Sequence, residues 1–489
     1  MAEKTKDGLK LDYKKTILTG FGFLATSIAW AIYDPYITKI LNKILSESSM
    51  ITDWSNALAK AIPWIGKFAE AQGESTVALG GGFTLVPLFI GIIMTFDNIF
   101  GVIFQPTFGK LSDRCHSKHG RRRPFIFFGA PVSALIFALI PVVFLSNGSL
   151  PLLMTTVILF VFTMSLWRAP VVALMPDLTP SELRSEGNAI INLCGGAGSL
   201  VGMIAGSIIT IIFNTVYGKG NFDETATYPY VFLIGSVVMV IAVFVLRFFV
   251  KEPDSRLKAV ADHREAEAVA KAQKEEKERL KANKLSKGER VSLVFMLAGL
   301  FFLFCGSNAI TTFFALFAEE ILHKTTAQAT FLMAVFAVCS MAAAIPAGKL
   351  GKKIGRKKTI LIGLCLFSTL SLVYFLKDSP ALNWIIWILL VIGGAANMLI
   401  TVNTLPLVLE IGGQEKIGTF TGYYYTATFS AQIAAPIVFG MFRMFSGTYS
   451  TLFVFSPIAF ILSLLCILFV RHGEAIPDEL IKEAEMSDD

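Results

Sequence analysis

The feature that most limits this chain is a series of apolar segments, each about 18 residues or longer and nearly free of charge. Read at that length, they predict helices at residues 16–44, 84–107, 125–145, 151–175, 187–214 and 229–250, then at 291–318, 326–348, 358–376, 383–409, 416–443 and 450–470. Water cannot solvate such stretches, and in a bilayer each must satisfy its own backbone hydrogen bonds, so they are read as membrane-spanning helices. Composition agrees: 54% of residues are hydrophobic and 16% charged, where a soluble domain carries about a quarter charged residues. The expected fold class is an all-α, multi-pass membrane protein in the cell membrane, with the lipid bilayer as its main partner.

Charge in the connections fixes the expected orientation. Lys4, Lys6, Lys10, Lys14 and Lys15 precede the first helix. Lys110, Arg114, Lys118, Arg121, Arg122 and Arg123 lie between helices 2 and 3, and Lys349, Lys352, Lys353, Arg356, Lys357 and Lys358 between helices 8 and 9. Alternate connections, such as Ser146-Asn147-Gly148-Ser149 and Ser446-Gly447-Thr448, are poor in Lys and Arg. The positive-inside rule then places both termini in the cytoplasm. The net charge of +7 is read as this bias and not as a nucleic-acid footprint. The first fifteen residues lack a cleavable signal pattern, so helix 1 is expected to act as its own insertion signal.

Two polar pieces divide the chain. Residues 46–83 form an outer insert in which Trp54, Leu58, Ile62, Ile65 and Phe68 recur at helical spacing, interrupted by Pro63. It is read either as an interfacial helix on the membrane or as a lid. Residues 251–289 are a charged, Ala-rich cytoplasmic helical linker, typified by Lys274-Glu275-Glu276-Lys277-Glu278-Arg279. The expected organisation is a six-helix half at 1–250, this linker, a second half at 290–472 and a cytoplasmic tail at 473–489.

The halves echo each other. Gly109-Lys110-Leu111 ends predicted helix 2 and Gly348-Lys349-Leu350 ends predicted helix 8. Gly120-Arg121-Arg122-Arg123 is matched by Gly355-Arg356-Lys357-Lys358, and Pro176-Asp177-Leu178 by Leu409-Glu410-Ile411. Two six-helix halves, a basic loop in each and a long middle linker describe the major facilitator fold. Gly109 lets helix ends approach closely, and Asp113 among Arg114, Arg121 and Arg122 invites ion pairs that break as the halves rock. These five residues are the expected gate.

The run Gln105-Pro106-Thr107-Phe108-Gly109-Lys110-Leu111-Ser112-Asp113-Arg114-Cys115, with Ser117-Lys118-His119-Gly120-Arg121-Arg122-Arg123-Pro124-Phe125-Ile126, closely resembles the same loop of sucrose/proton symporters. Those belong with the glycoside–pentoside–hexuronide:cation symporters. Arg168-Ala169-Pro170 and Ala173-Leu174-Met175-Pro176-Asp177-Leu178-Thr179 are similar to their helix 4 to 5 junction. The resemblance covers the first half well and the second mainly by hydropathy. Two positions depart: Gly101 and Gln105 stand where sodium-coupled melibiose-type relatives carry carboxylates, and Val161 where plant sucrose carriers place an Asp. The resemblance therefore carries over neither a sodium site nor that proton site.

An ionisable residue at mid-bilayer costs about 2.5–3.5 kcal/mol on insertion scales, so it needs a partner or a purpose. Asp34 on helix 1, Asp97 on helix 2 beside Asn98, and Arg168 on helix 4 are the candidates. Asp177, Glu319, Glu320, Glu410 and Arg443 fall near helix ends, where side chains can reach water. An Asp on helix 1 with an Arg on helix 4 resembles the coupling pair of proton-linked sugar porters, so Asp34 and Arg168 are the expected proton-coupling residues, with Asp97 in reserve. A static pair is the alternative. Sugar binding needs hydrogen-bonding groups and an aromatic face. The central helices offer Trp30 and Tyr33, Arg168, Asn188 and Asn192, Asn308 and Thr312, Asn397 and Asn403, and Tyr424 and Gln432. Helix–helix hydrogen bonding is the competing use of any one of these amides.

The expected function is alternating-access symport of a proton with a glucoside such as sucrose or maltose, by a monomer. An uncoupled facilitative or efflux carrier of a small polar solute is the alternative, and a channel or receptor a more distant one. No Ser/His/Asp, HExxH or CxxC arrangement points to an enzyme. The scattered cysteines and the histidines in or near loops point to no disulfide framework, metal site or cofactor.

Overall fold

The computed structural model describes residues 2–5, 8–62, 65, 83–115, 117, 120–147, 149–179, 183–252, 286–412 and 417–472. Most of the predicted linker at 251–289, Phe68 of the insert and the tail at 473–489 lie outside them. The described residues hold 12 helices long and apolar enough to cross a membrane. Spans 1 to 6 are Tyr13–Ser46, Val86–Asp113, Arg123–Ser146, Leu150–Leu178, Gly187–Tyr217 and Glu224–Phe249. Spans 7 to 12 are Lys287–Glu320, Thr326–Ile354, Arg356–Phe375, Leu382–Ile411, Thr419–Ser446 and Tyr449–Leu468. Each predicted helix has its span, and most run further than hydropathy alone indicates. Span 2 continues through the basic motif to Asp113 and span 8 to Ile354. Backbone hydrogen bonding does not stop where side chains become polar, so Lys110, Lys349, Lys352 and Lys353 ride on final helical turns and not in loops. A short antiparallel hairpin, Ala2–Thr5 with Gly8–Leu11, precedes span 1.

The contacts sort these elements into two units. The first gathers spans 1, 3, 4, 5 and 6, the Phe96–Asp113 piece of span 2 and the start of span 8 through Phe331. Within it, span 1 packs on spans 4, 5 and 6, and span 3 on spans 4 and 6. Phe137 sits at its centre, with ring centroids 5.0 Å from Phe160 and 4.6 Å from Phe232. The second unit gathers spans 7 and 9 to 12, the rest of span 8, the Val86–Met94 piece of span 2 and the insert helix Ser49–Ala61. In it span 7 packs on spans 11 and 12, and Phe367 stacks on Phe460 at 4.3 Å.

In the second unit the Val86–Met94 piece lies against span 11. A Cβ on Gly91 would collide with the Pro436 carbonyl, and one on Gly440 with the Pro87 carbonyl, so two backbones meet with no side chain between them. Without a hydrophobic driving force in lipid, such close packing is what holds helices together. Gly91→Leu is expected to lower stability by about 1–3 kcal/mol through overpacking. The check is the thermal midpoint of the purified protein, and an unchanged midpoint would show the contact to be dispensable.

The insert helix Ser49–Ala61 stops before Pro63, where the periodicity is interrupted, and Ile65 beyond it is again helical. It buries Ile51 and Ser55, and the Ser55 hydroxyl accepts the Leu85 N–H at 3.1 Å. Trp54 lies 5.9 Å from Phe89. The insert is thereby tied to the start of span 2.

Candidate coupling and substrate site

The three mid-membrane charges each stand at an irregularity in a helix. Asp34 precedes Pro35 inside span 1, whose missing N–H leaves the Ala31 carbonyl without its helical donor. Thr38 donates its hydroxyl back to the Asp34 and Pro35 carbonyls, at 2.9 Å each. Arg168 lies two residues before Pro170 in span 4. Asp97 opens the second piece of span 2, just past the break at Thr95. Irregular backbone at membrane depth is tolerated where it is buried in protein or lines a polar space.

All three belong to the first unit, and all three are half-buried. Asp34 and Asp97 each interact electrostatically with Arg168, and Asp34 with Asp97. No salt bridge joins them among the described residues. Asp97 instead accepts both N–H groups of Asn98, from the backbone at 2.7 Å and the side chain at 3.0 Å. The Arg168 guanidinium lies 5.7 Å from the Trp30 ring centroid. Trp30 meets Tyr33 edge-on at 5.3 Å, and Phe160 lies 6.0 Å from Trp30 and 5.4 Å from Tyr33. The Trp30 indole N–H is buried with no hydrogen-bond partner among the described residues. The result is an aromatic wall beside one cation and two carboxylates. Phe160 is part of it although sequence reading did not single it out, because a Phe on a span carries no signal that separates wall from core.

The other expected substrate residues lie on spans 5, 7, 10 and 11. Asn188 and Asn192 share an exposed face of span 5, and the Asn192 amide donates to the Asn188 carbonyl at 2.8 Å. In the second unit, Asn308 donates to the Phe304 carbonyl of its own helix at 2.7 Å, and Thr312 is half-buried one turn on. Asn397 is half-buried on span 10, and its carbonyl accepts the Thr401 hydroxyl at 2.8 Å. Asn403 is 3% exposed and donates to Ala347 of span 8 and Leu399, fastening two helices. The buried Tyr424 hydroxyl lies 3.5 Å from that of Thr404, and Gln432 is half-buried.

The basic motif forms a network with Arg122 at its hub. This guanidinium bonds Asp113 at 2.5 Å, Asp177 at 2.8 Å, the Gly109 carbonyl at 3.3 Å and the Ser112 hydroxyl. Arg121 makes two parallel bonds to Asp177, at 2.8 and 3.2 Å. Arg114 is exposed. Gly120 makes the turn before the arginines at φ +96°, a conformation that favours glycine, and a Cβ there would strike Glu252. The Glu252 carboxylate accepts the backbone N–H groups of Arg121, Arg122 and Arg123 at 3.0–3.3 Å, the orphan donors at the start of span 3. The second half repeats the device: Gly355 turns at φ +97° and Arg356 pairs with Glu410. Asp177 and Glu410 were legible as matched acids but not as partners, since pairing across helices is set by packing.

Burial pushes the Glu252 carboxyl above its usual range, against the downward pull of those N–H donors. The folded chain therefore holds the proton more tightly than the unfolded chain. That contribution to stability is complete below the unfolded value, about 4.3 for Glu, and is lost as pH rises through the folded one. Glu252→Gln is expected to flatten this part of the stability profile, measured as thermal midpoint against pH. A profile identical to the parent's would remove Glu252 as its source.

One charge behaves unlike its sequence position. Arg443 near the end of span 11 does not reach water but is 0% exposed, because Tyr449 folds over it with the ring centroid 4.5 Å from the guanidinium. Glu320 at the end of span 7 stands 3.6 Å away and accepts the Tyr449 N–H at 3.0 Å.

Residues 16–436 and 296–486 match the family model of the Major Facilitator Superfamily. A sucrose transport protein of Arabidopsis thaliana is 30% identical over 137 residues, covering 24% of this chain and 23% of that protein. The class E tetracycline resistance protein of Escherichia coli is 22% identical over 79% of this chain and 86% of its own length. Among solved structures, the inward-open xylose transporter of E. coli superimposes with a TM-score of 0.61 at 16% identity, covering 94% of this chain and 96% of that one. A D-xylose–proton symporter structure gives 0.59 at 15% identity, covering 94% and 98%. With its 12 spans and repeated basic motif, the chain is a multi-pass membrane transporter, not an enzyme, and it belongs to the major facilitator superfamily.

Proposed function

We propose that this transporter couples entry of a neutral glucoside, with sucrose or maltose the first candidates, to an inward proton flow by alternating access. The observation that carries the reading is the grouping of Asp34, Asp97 and Arg168 with the Trp30–Tyr33–Phe160 wall. A carboxylate whose distance to a fixed guanidinium changes between states takes up and releases a proton, since an opposite charge favours its ionised form and desolvation the neutral one. Aromatic faces suit the apolar face of a sugar ring, and Trp30 offers a donor in want of an acceptor. The sucrose-symporter character of the loop from Gln105 to Ile126 and the partial match to the plant sucrose carrier support the sugar. On this reading Asp113, Asp177, Glu252 and the arginines of the basic loop gate the cytoplasmic side, and both termini are cytoplasmic.

The broad match to a tetracycline resistance protein favours a second reading, an efflux carrier with the same fold. Uptake of labelled sucrose and maltose into proteoliposomes, with and without an inward proton gradient, separates them. Gradient-driven accumulation of either sugar supports symport. Equal entry without concentration means a uniporter, and no entry of either sugar removes the glucoside assignment.

A further inference from the structure

The start of span 8 is clasped by elements of the first unit, although the span from Leu332 onward belongs to the second. The Thr326 N–H donates to the Glu224 carboxylate at 2.5 Å, and the Tyr228 and Thr326 hydroxyls lie 3.3 Å apart. The Ser207 hydroxyl of span 5 donates to the Ala327 carbonyl at 3.1 Å. Glu224 is presented by a 3-10 turn, Glu224–Thr227, which Asp223 caps by accepting the Thr225 N–H at 3.0 Å. Tyr36 of span 1 closes the cluster. Its ring meets Tyr228 edge-on at 5.0 Å, and its hydroxyl is lodged where a Cβ on Gly206 would be.

Two details distinguish this clasp from ordinary packing. First, span 8 does not need Glu224 to begin its helix. Thr325 and Gln328 already cap it reciprocally, the Gln328 N–H donating to the Thr325 hydroxyl at 3.3 Å and the Thr325 N–H to the Gln328 side chain at 3.2 Å. Reciprocal caps of this kind satisfy the orphan donors of a first turn locally. Glu224 is therefore a supplementary acceptor whose departure leaves the helix intact. Second, the Tyr36 side chain is 1% exposed and its hydroxyl has no hydrogen-bond partner among the described residues. Opening the clasp would hydrate that hydroxyl, which offsets part of the loss of the Glu224 bond. A contact strong in one state, with compensation in the other, is the requirement for a two-state element.

We propose that Glu224 is a releasable latch on span 8, holding the clasped state while Thr326 donates to it and letting the start of the span leave as an intact helix. The proposal rests on the transporter reading only in requiring span 8 to move. It is silent on the substrate, and its test uses none.

The test is labelling of Ala327→Cys in the full-length protein by a membrane-impermeant maleimide, with the parent chain as background for the native cysteines. Ala327 is 3% exposed in the clasped state. Glu224→Gln keeps the shape but loses the charge assistance that makes carboxylate bonds roughly twice as strong as neutral ones. It is expected to raise the labelling rate about tenfold, equivalent to about 1.4 kcal/mol. Thr326→Pro removes the donated N–H at a first-turn position where proline is tolerated, and should raise it at least as much. Both rates are read well below the thermal midpoints of the parent and of each variant, where all are folded. Rates equal to the parent's in both variants would overturn the latch. Absence of sugar uptake would overturn the glucoside reading and leave the latch standing.

Discussion

Arg168→Ala is expected to reduce gradient-driven uptake by at least about 100-fold, or ~2.7 kcal/mol, while the protein still inserts and folds. The guanidinium is the cation that both Asp34 and Asp97 face, and its other neighbour is the Trp30 ring. Removing it leaves two carboxylates near each other at membrane depth, where like charges cannot both ionise freely. With no cation whose changing distance alternately favours and disfavours the ionised carboxylate, the coupled step is lost. Stability should suffer less than transport, because no salt bridge ties Arg168 to its surroundings among the described residues. Arg168→Lys keeps the charge as a compact ammonium but loses the planar face that lies over Trp30, so its uptake should fall between parent and alanine variant. Labelled-sugar uptake in proteoliposomes, paired with thermal unfolding, checks both. Normal transport by Arg168→Ala would exclude the residue from the site.

Asp34→Asn is expected to abolish concentrative uptake and retain exchange of labelled for unlabelled sugar. One proton crossing with a neutral sugar at 100 mV supplies about 2.3 kcal/mol, which supports roughly 50-fold accumulation at 1.36 kcal/mol per decade. The asparagine variant should equilibrate near a ratio of about 1. Exchange survives because it needs the binding wall and the conformational change but no net proton movement. Asp34 makes no side-chain ion pair among the described residues, whereas Asp97 is engaged by Asn98. That difference ranks Asp34 first as the carboxylate less engaged by hydrogen bonds. Accumulation unchanged in Asp34→Asn would move the coupling to Asp97, with Asp97→Asn as the deciding variant.

Glu224 at the start of span 6 and Glu252 just past its end rest on the same physics. Both use a carboxylate that takes backbone N–H groups at a helix start: Glu252 at span 3 and Glu224 at span 8. Such bonds are charge-assisted yet depend on one side chain's position, which makes them strong when closed and breakable as a unit.

The membrane spans, their number and the two-fold repeat were legible from residues alone, because a bilayer obliges every spanning segment to be long, apolar and internally hydrogen-bonded. Gly120 and Gly355 were legible as matched positions of the repeat, and the structure gives both a positive φ. The ionisable candidates were legible too, since charges at membrane depth are rare and stand out. Pairing was not. Nothing along the chain says that Arg122 chooses Asp177 as well as Asp113, that Glu252 caps span 3, or that Arg443 is sealed under Tyr449. Nor does it say that Asn403 is spent on fastening spans 8 and 10 while Phe160 joins the aromatic wall. Hydropathy reports the solvent a segment needs, which is a property of the segment. Partner choice depends on which faces the packed helices turn to one another, and that is decided only when the tertiary structure forms.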